Sequence, residues 1–259
     1  MLIDTHAHLQ WASFNKDREK VIERAREAGV KRIVNIGFDI KGSQSAVRQA
    51  ESHMGLYATV GVHPHNASQL GSVALNELKK LAESSKVVAI GEIGLDYYRD
   101  LSPRDVQRRA FEAQLSLAEE LDLPVVVHNR EAHTETLNAL SDFRGRGEII
   151  MHCFSGSSGK AEEYIGLGFY LSFAGTVTFP NAHSLRETVA RVDLGRMLIE
   201  TDSPWLAPQR VRGRRNEPAF LPFIAEEIAK LKGISIDELA KATTENANEV
   251  FQLGDTSRS

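Results

Sequence analysis

Short apolar runs alternate with amphipathic ones from end to end of the chain. Eight runs, at 2–5, 32–36, 57–62, 87–92, 124–128, 148–152, 169–173 and 197–200, are rich in β-branched residues and mostly apolar on both faces. Buried parallel strands read this way, whereas half-exposed antiparallel strands alternate. Helical patterns fill the gaps. Residues 17–28 set Val21, Ile22, Ala25 and Ala28 at helical spacing and stop at Gly29, a glycine that can close a helix in the left-handed conformation. The next clear start is Ser102, Pro103 and Asp105. It predicts Ser102 as N-cap, Pro103 at the first helical position, and a core face of Val106, Ala110, Ala113, Leu117 and Leu121. After an eighth helix at about 218–231, a Ser-x-x-Glu capping box opens a helix at 235–241. Residues 245–253 look helical again, and 254–259 read as a frayed tail.

Eight βα units in a chain of 259 residues match an α/β fold, the (β/α)8 TIM barrel. The expectation is one domain over 1–253 with extra C-terminal helices and a tail over 254–259. A doubly wound open sheet is the alternative that periodicity alone does not separate. Composition agrees with a globular chain, at 42% hydrophobic and 25% charged residues. A net charge of −4 argues against broad coating of nucleic acid or acidic membrane but leaves a local basic site open. The lone cysteine excludes an internal disulfide and suits a reducing compartment. The first residues carry no leader-like basic and apolar regions, and no stretch approaches the ~20 apolar residues of a membrane span. The reading is a soluble, cytoplasmic protein with no membrane and no obligate protein partner, its oligomeric state left open.

The polar residues that interrupt the strands carry the chemistry. His6 and His8 sit at the end of the first strand, where residues two apart face the same way. His63 and His65 follow the third strand, Glu92 ends the fourth, His128 the fifth, His152 the sixth, and Asp202 follows the eighth. In a barrel those C-terminal strand ends converge on one mouth. Converging imidazoles and carboxylates suit Zn²⁺, Mn²⁺, Ni²⁺ or Fe²⁺. A single histidine at a strand end is more often just hydrogen-bonded, but the ordered set of His6, His8, Glu92, His128, His152 and Asp202 is hard to obtain by chance. His53, His133 and His183 read as ordinary surface residues.

Other residues surround that set. Asp4 points inward beside His6, as the orienting partner of a ligand histidine or as a structural cap. Glu200, two residues before Asp202, reads as a supporting carboxylate one layer deeper. His65, Asp96 and Arg99 lie in mouth loops and are candidates for substrate contact. Arg210, Arg212, Arg214 and Arg215 form a local positive patch after the eighth strand, suited to phosphate or paired to nearby acids. Trp11, Phe14 and Trp205 either stack bases or, more commonly, pack beneath their loops. Cys153 reads as a small buried hydrophobe.

The segments IDTHAHL (3–9), GVHPH (61–65), GEIGLDYY (91–98), PVVVHNREA (124–132), HCFSG (152–156), ETDSPWLAP (200–208) and RNEP (215–218) together resemble the TatD family of metal-dependent nucleases, within the amidohydrolase superfamily of barrels. The resemblance runs from Ile3 to Phe251. It implies two divalent ions (Mg²⁺, Mn²⁺, Zn²⁺ or Ni²⁺), one on His6, His8, Glu92 and Asp202, the other on Glu92, His128 and His152. Glu92 would then bridge the ions, roughly 3.5–4 Å apart in such centres. It implies a deoxyribonuclease, exonuclease-like, that hydrolyses phosphodiesters with a metal-activated water. Asp202 would be the general base and His63 would contact the phosphate or protonate the leaving group. His65, Arg212, Arg214 and Arg215 are the expected substrate contacts. A second reading is a metal-dependent ester or amide hydrolase such as a D-aminoacyl-tRNA deacylase. Barrels that bridge their metals with a carbamylated lysine differ, since residues 87–95 contain no lysine. A non-catalytic barrel would have lost ligand positions, and none is lost.

Overall fold

The protein is described by a computed structural model covering residues 1–143 and 148–253. The tail expected at 254–259 lies outside the described residues. The strands are β1 (Leu2–Ala7), β2 (Val30–Asn35), β3 (Leu56–Val60), β4 (Val87–Asp96), β5 (Val125–Arg130), β6 (Ile149–Met151), β7 (Tyr170–Phe173) and β8 (Met197–Ile199). One helix follows each: α1 (Arg18–Glu27), α2 (Ile40–Ser52), α3 (Ser72–Leu81), α4 (Arg104–Leu121), α5 (His133–Asp142), α6 (Ser158–Gly166), α7 (His183–Arg191) and α8 (Leu221–Lys232), with α9 (Ile236–Val250) added at the end. The strands form one eight-stranded sheet in chain order, parallel in the pairs β3–β4, β4–β5, β5–β6 and β7–β8. Strict βα alternation in this order is the (β/α)8 TIM-barrel class, so the open-sheet alternative falls. No helix among the described residues is long and apolar enough to cross a membrane.

The chain divides into two compact units, Met1–Val34 with Cys153–Ser259, and Asn35–His152. In the first, every residue of β1 is buried, and Val21, Ile22 and Ala25 of α1 are the buried face that the helical spacing predicts. The Ser235–Glu238 capping box forms as read. The two C-terminal helical stretches are, however, one continuous α9. The intervening Thr243 is buried within it, its hydroxyl donating back to the Leu239 carbonyl, 2.9 Å away, so its polar group is satisfied inside the helix. α9 lies against β1 and β8 at the starts of those strands. Thr244 Oγ1 donates to the Met1 carbonyl (3.1 Å), and Asn246 Nδ2 donates to the carbonyls of Leu194 and Met197 (2.8 Å each).

In the second unit, α4 departs from its expected face. Gln107, Ala110, Phe111, Gln114, Leu115, Leu117 and Ala118 are buried, while Val106 and Ala113 are only partly covered. The two glutamines are inside because a carboxamide both donates and accepts, and so can satisfy both polar groups of one residue's backbone. Gln114 accepts from the Val62 N–H (2.7 Å) and donates to the Val62 carbonyl (3.1 Å). Gln107 does the same for Asp96, at 2.9 and 3.2 Å. These bonds fix the chain just after β3 and at the end of β4. The helix begins at Arg104 with Pro103 as N-cap, so Ser102 is not the cap. Its hydroxyl donates instead to the His65 carbonyl at 3.1 Å. Strand β4 runs four residues beyond its expected end at Glu92, to Asp96.

Candidate active site

In the first unit, a short piece of sheet beyond β1 and β8 places three candidate ligands. The N–H of Asp202 donates to the His6 carbonyl (2.9 Å) and that of His8 to the Ser203 carbonyl (2.8 Å), around a parallel bridge between Ala7 and Ser203. Asp202 adopts a positive φ of 53°, and its Oδ1 lies 3.9 Å from His6 Nε2 and 3.7 Å from His8 Nε2. The two Nε2 atoms are 3.1 Å apart. His6 and His8 are buried, and the Asp202 side chain keeps 14% of its surface open.

Two carboxylates and an amide hold this frame from behind. Asp4 is fully buried, and burial pushes its carboxyl up to about 7 against the opposing hydrogen bonds from Thr201. Its oxygens accept from the Thr201 N–H (2.9 Å), the Thr201 hydroxyl (2.6 Å) and the His6 backbone N–H (3.3 Å). Asp4 thus grips the backbone that carries His6. Glu200 is also buried and accepts from the N–H of Cys153, the residue after His152. Asn216, in the RNEP segment, donates to the carbonyls of Thr201 (2.8 Å) and Trp205 (2.6 Å). Sequence reasoning assigned Asn216 no role. Its only signal was its place inside a motif.

In the second unit, Glu92 is the hub. The β4–β5 register shifts between Gly91, opposite Val126, and Ile93, opposite Val127, so Glu92 sits on a β-bulge. A bulge adds one unpaired residue and re-aims its side chain. The Glu92 N–H donates instead to the Gly37 carbonyl at 2.7 Å. Close approach of β4 to β5 requires glycine at Gly94, whose φ is 140° and whose added Cβ would overlap the His128 carbonyl oxygen. Three imidazoles surround Glu92 Oε1: His128 Nδ1 at 2.8 Å, His152 Nε2 at 3.2 Å and His63 Nε2 at 3.5 Å. Burial alone would raise the Glu92 carboxyl, but these imidazoles outweigh it and hold the group well below its ordinary range.

The imidazoles divide by what their second nitrogen does. His63 Nδ1 accepts from the His65 N–H at 3.0 Å, which leaves the proton on Nε2 and makes His63 a donor rather than a ligand. Burial pushes its imidazole down to about 4, although the Glu92 charge pulls the other way. His128 Nε2 lies 3.1 Å from Asp96 Oδ2, which also meets His65 Nε2 at 2.8 Å. The Asp96 Oδ1 accepts from the N–H groups of Tyr98 (3.0 Å) and Arg99 (2.7 Å). Asp96 is therefore a buried carboxylate at the end of β4. Against the cost of burial, Asp96 on one nitrogen and Glu92 on the other hold His128 toward its charged form. A cation beside Glu92 would take the place of the Nδ1 proton, the carboxylate–imidazole arrangement that tunes metal ligands. Asp96 was expected in a loop.

The donor chemistry fits divalent cations. Without a cation, His6 and His8 turn two ring nitrogens on each other, and Glu92 collects three imidazoles. A cation in the first unit would accept the lone pairs that His6 and His8 now turn on each other, and one in the second would sit between Glu92 and its imidazoles.

The arginine loop sorts by partner. Arg215 is held bidentately by Asp17 (2.9 and 2.6 Å) over the Phe14 ring, and Arg210 pairs with Glu226. Arg212 and Arg214 lie over the rings of Phe179 and Phe220. Among the described residues no carboxylate ion-pairs with either of them. Phe14 is fully buried, whereas Trp11 and Trp205 are exposed, and Cys153 is half-buried rather than buried.

Residues 3–252 match the model of the TatD related DNase family. The chain is 44% identical over 255 residues to the uncharacterized metal-dependent hydrolase YabD of Bacillus subtilis (strain 168), covering 98% of this chain and all of that protein. It is 40% identical to the 3'-5' ssDNA/RNA exonuclease TatD of Erwinia amylovora, covering 97% of this chain and all of that one. Among solved structures, YJJV, a TatD homologue from Escherichia coli K12, superposes with a TM-score of 0.93 at 32% identity over 98% of both chains. The chain belongs to the TatD related DNase family and is a metal-dependent hydrolase.

Proposed function

We propose that this TatD-family hydrolase is a nuclease that removes nucleotides from an end of single-stranded DNA or RNA. The observation that carries the reading is the pair of buried donor sets at the strand ends, His6, His8 and Asp202 in one unit and Glu92, His128 and His152 in the other. Divalent ions held by the two sets would lower the pKa of a water and neutralise charge on a phosphate. Mg²⁺, Mn²⁺, Zn²⁺ and Ni²⁺ all suit this mixture of imidazole and carboxylate.

The chain's own residues then take distinct tasks. Asp202 keeps an edge open to solvent and accepts the proton of the attacking water. His63, neutral with its proton on Nε2, donates a hydrogen bond to the phosphate or the leaving oxygen. Arg212 and Arg214, which lie over the rings of Phe179 and Phe220 and ion-pair with no carboxylate among the described residues, meet backbone phosphates. Arg215 serves the loop, since Asp17 takes its fork. His65 stands beside the substrate while Asp96 sets its ring. Preference for single strands is supported by the relatives named as 3'-5' ssDNA/RNA exonucleases, 36–40% identical across their whole length.

The test uses 5'- and 3'-labelled single- and double-stranded oligonucleotides with chelator-stripped protein reloaded with each ion. Metal-dependent ladders from one end, absent in a His128→Ala, Asp202→Asn double variant, are expected. Intact strands in the presence of tightly bound metal would overturn the reading.

A further inference from the structure

We propose that Trp11 and Trp205 form an aromatic platform that holds one unstacked nucleobase beside the His8 and Asp202 ligands. Each tryptophan lies three residues beyond a candidate ligand and is tied to it through the backbone. The Trp11 N–H donates to the His8 carbonyl at 2.9 Å, and the Trp205 N–H donates to the Asp202 carbonyl at 3.0 Å. Asn216 fixes the Trp205 carbonyl from the other side. The rings form an edge-to-face series. His8 and Trp205 have centroids 5.1 Å apart at 70°, and Trp205 and Trp11 are 4.9 Å apart at 67°.

Both indoles keep part of their surface at solvent. Trp11 remains 37% exposed and Trp205 42%, while Phe14 from the same loop as Trp11 is completely buried. Two partly exposed indoles on anchored backbones are a pre-ordered surface for a flat, uncharged π-system. Its position next to the ligands that would hold the reacting phosphate limits the occupant to a group attached to that phosphate. A base splayed from a single strand meets both conditions, and stacking on an aromatic face tolerates any of the bases. A base locked in a duplex does not meet them until it is unpaired. The inference rests on the nuclease reading and adds to it a physical source of single-strand selectivity.

The chain contains two tryptophans and five tyrosines in all, so fluorescence excited selectively in the indole band reports on this pair alone. Metal-loaded protein titrated with a phosphorothioate-linked single strand is expected to show quenching that a strand abasic at its terminal three positions does not produce. In kinetics, the wild type should prefer an intact end over an abasic one by about tenfold or more in kcat/KM. Trp205→Leu should collapse that ratio toward one, Trp205→Tyr should keep it, and Trp11→Leu should lower it. Equal rates on intact and abasic ends by the wild type, or an unchanged ratio in Trp205→Leu, would overturn the platform. If no strand is cut at all, the nuclease reading fails. The fluorescence titration, which needs binding alone, then decides the platform separately.

Discussion

Replacing Asp96 with Asn should cripple metal binding without removing a ligand. The two backbone donors from Tyr98 and Arg99 fall on Oδ1, so an asparagine keeps its oxygen there and turns its NH₂ toward His128 and His65. In the native protein Oδ2 receives the His128 Nε2 proton, 3.1 Å away, so Nδ1, 2.8 Å from Glu92 Oε1, is the nitrogen that would give up its proton to a cation. An NH₂ in the place of Oδ2 is a donor facing a donor. His128 relieves the conflict by giving up the Nε2 proton and keeping the one on Nδ1, beside Glu92 Oε1, and there the proton blocks coordination. Loss of such an orienting partner typically weakens a metal site about 10–100-fold, or about 1.4–2.8 kcal/mol. That agrees with the roughly 1.5–3 kcal/mol of one charge-assisted hydrogen bond. The assay is calorimetric titration of chelator-stripped protein with Mn²⁺ or Zn²⁺, with oligonucleotide cleavage followed against metal concentration. The half-saturating concentration should rise by that factor, and activity should return substantially at saturating metal. Native affinity in Asp96→Asn would refute the tautomer argument.

Other expectations follow from the same structure. Gln114→Ala strands the N–H and carbonyl of Val62, at a cost of about 2–6 kcal/mol since each buried group left unpaired costs about 1–3; a thermal melt checks it. Gly94→Ala drives a Cβ into the His128 carbonyl at a φ of 140°, and the expected result in an expression trial is little folded protein. Arg212→Ala should weaken oligonucleotide binding and make its salt dependence shallower by about one phosphate contact, whereas Arg215→Ala should leave the salt slope intact and lower stability. That stability loss carries a pH signature. The hydrogen bond from Arg215 and the charges of Arg215 and Arg24 hold the Asp17 carboxyl below its ordinary value. Its contribution, about 1 kcal/mol or less for so open a pair, is therefore full above pH ~4 and is lost as pH falls through the depressed value. Melts of wild type and Arg215→Ala should differ at pH 7 and converge in acid.

The sequence by itself determined the βα alternation, the strand count and which histidines and acids stand at the strand ends. Burial on both faces leaves continuous apolar runs, and histidines and acids interrupting such runs stand out. Period two put His6 and His8 on one side with no structure needed, and the Ser235 capping box was legible because all its atoms lie within four residues. Only the tertiary structure decided what each polar group faces. Gln107 and Gln114 read as exposed positions of α4 because helical periodicity weighs apolarity, not the carboxamide's match to the backbone of Val62 and Asp96. The bulge at Glu92 and the reach of β4 to Asp96 depend on pairing with β5, about 35 residues further along. The four arginines were equivalent in sequence. Asp17, nearly 200 residues away from Arg215, and Glu226 separate the two that are paired from Arg212 and Arg214, which ion-pair with no carboxylate among the described residues. Local spacing fixes which way a side chain points, but hydrogen-bond partners and exposure come from chain segments that only folding brings together.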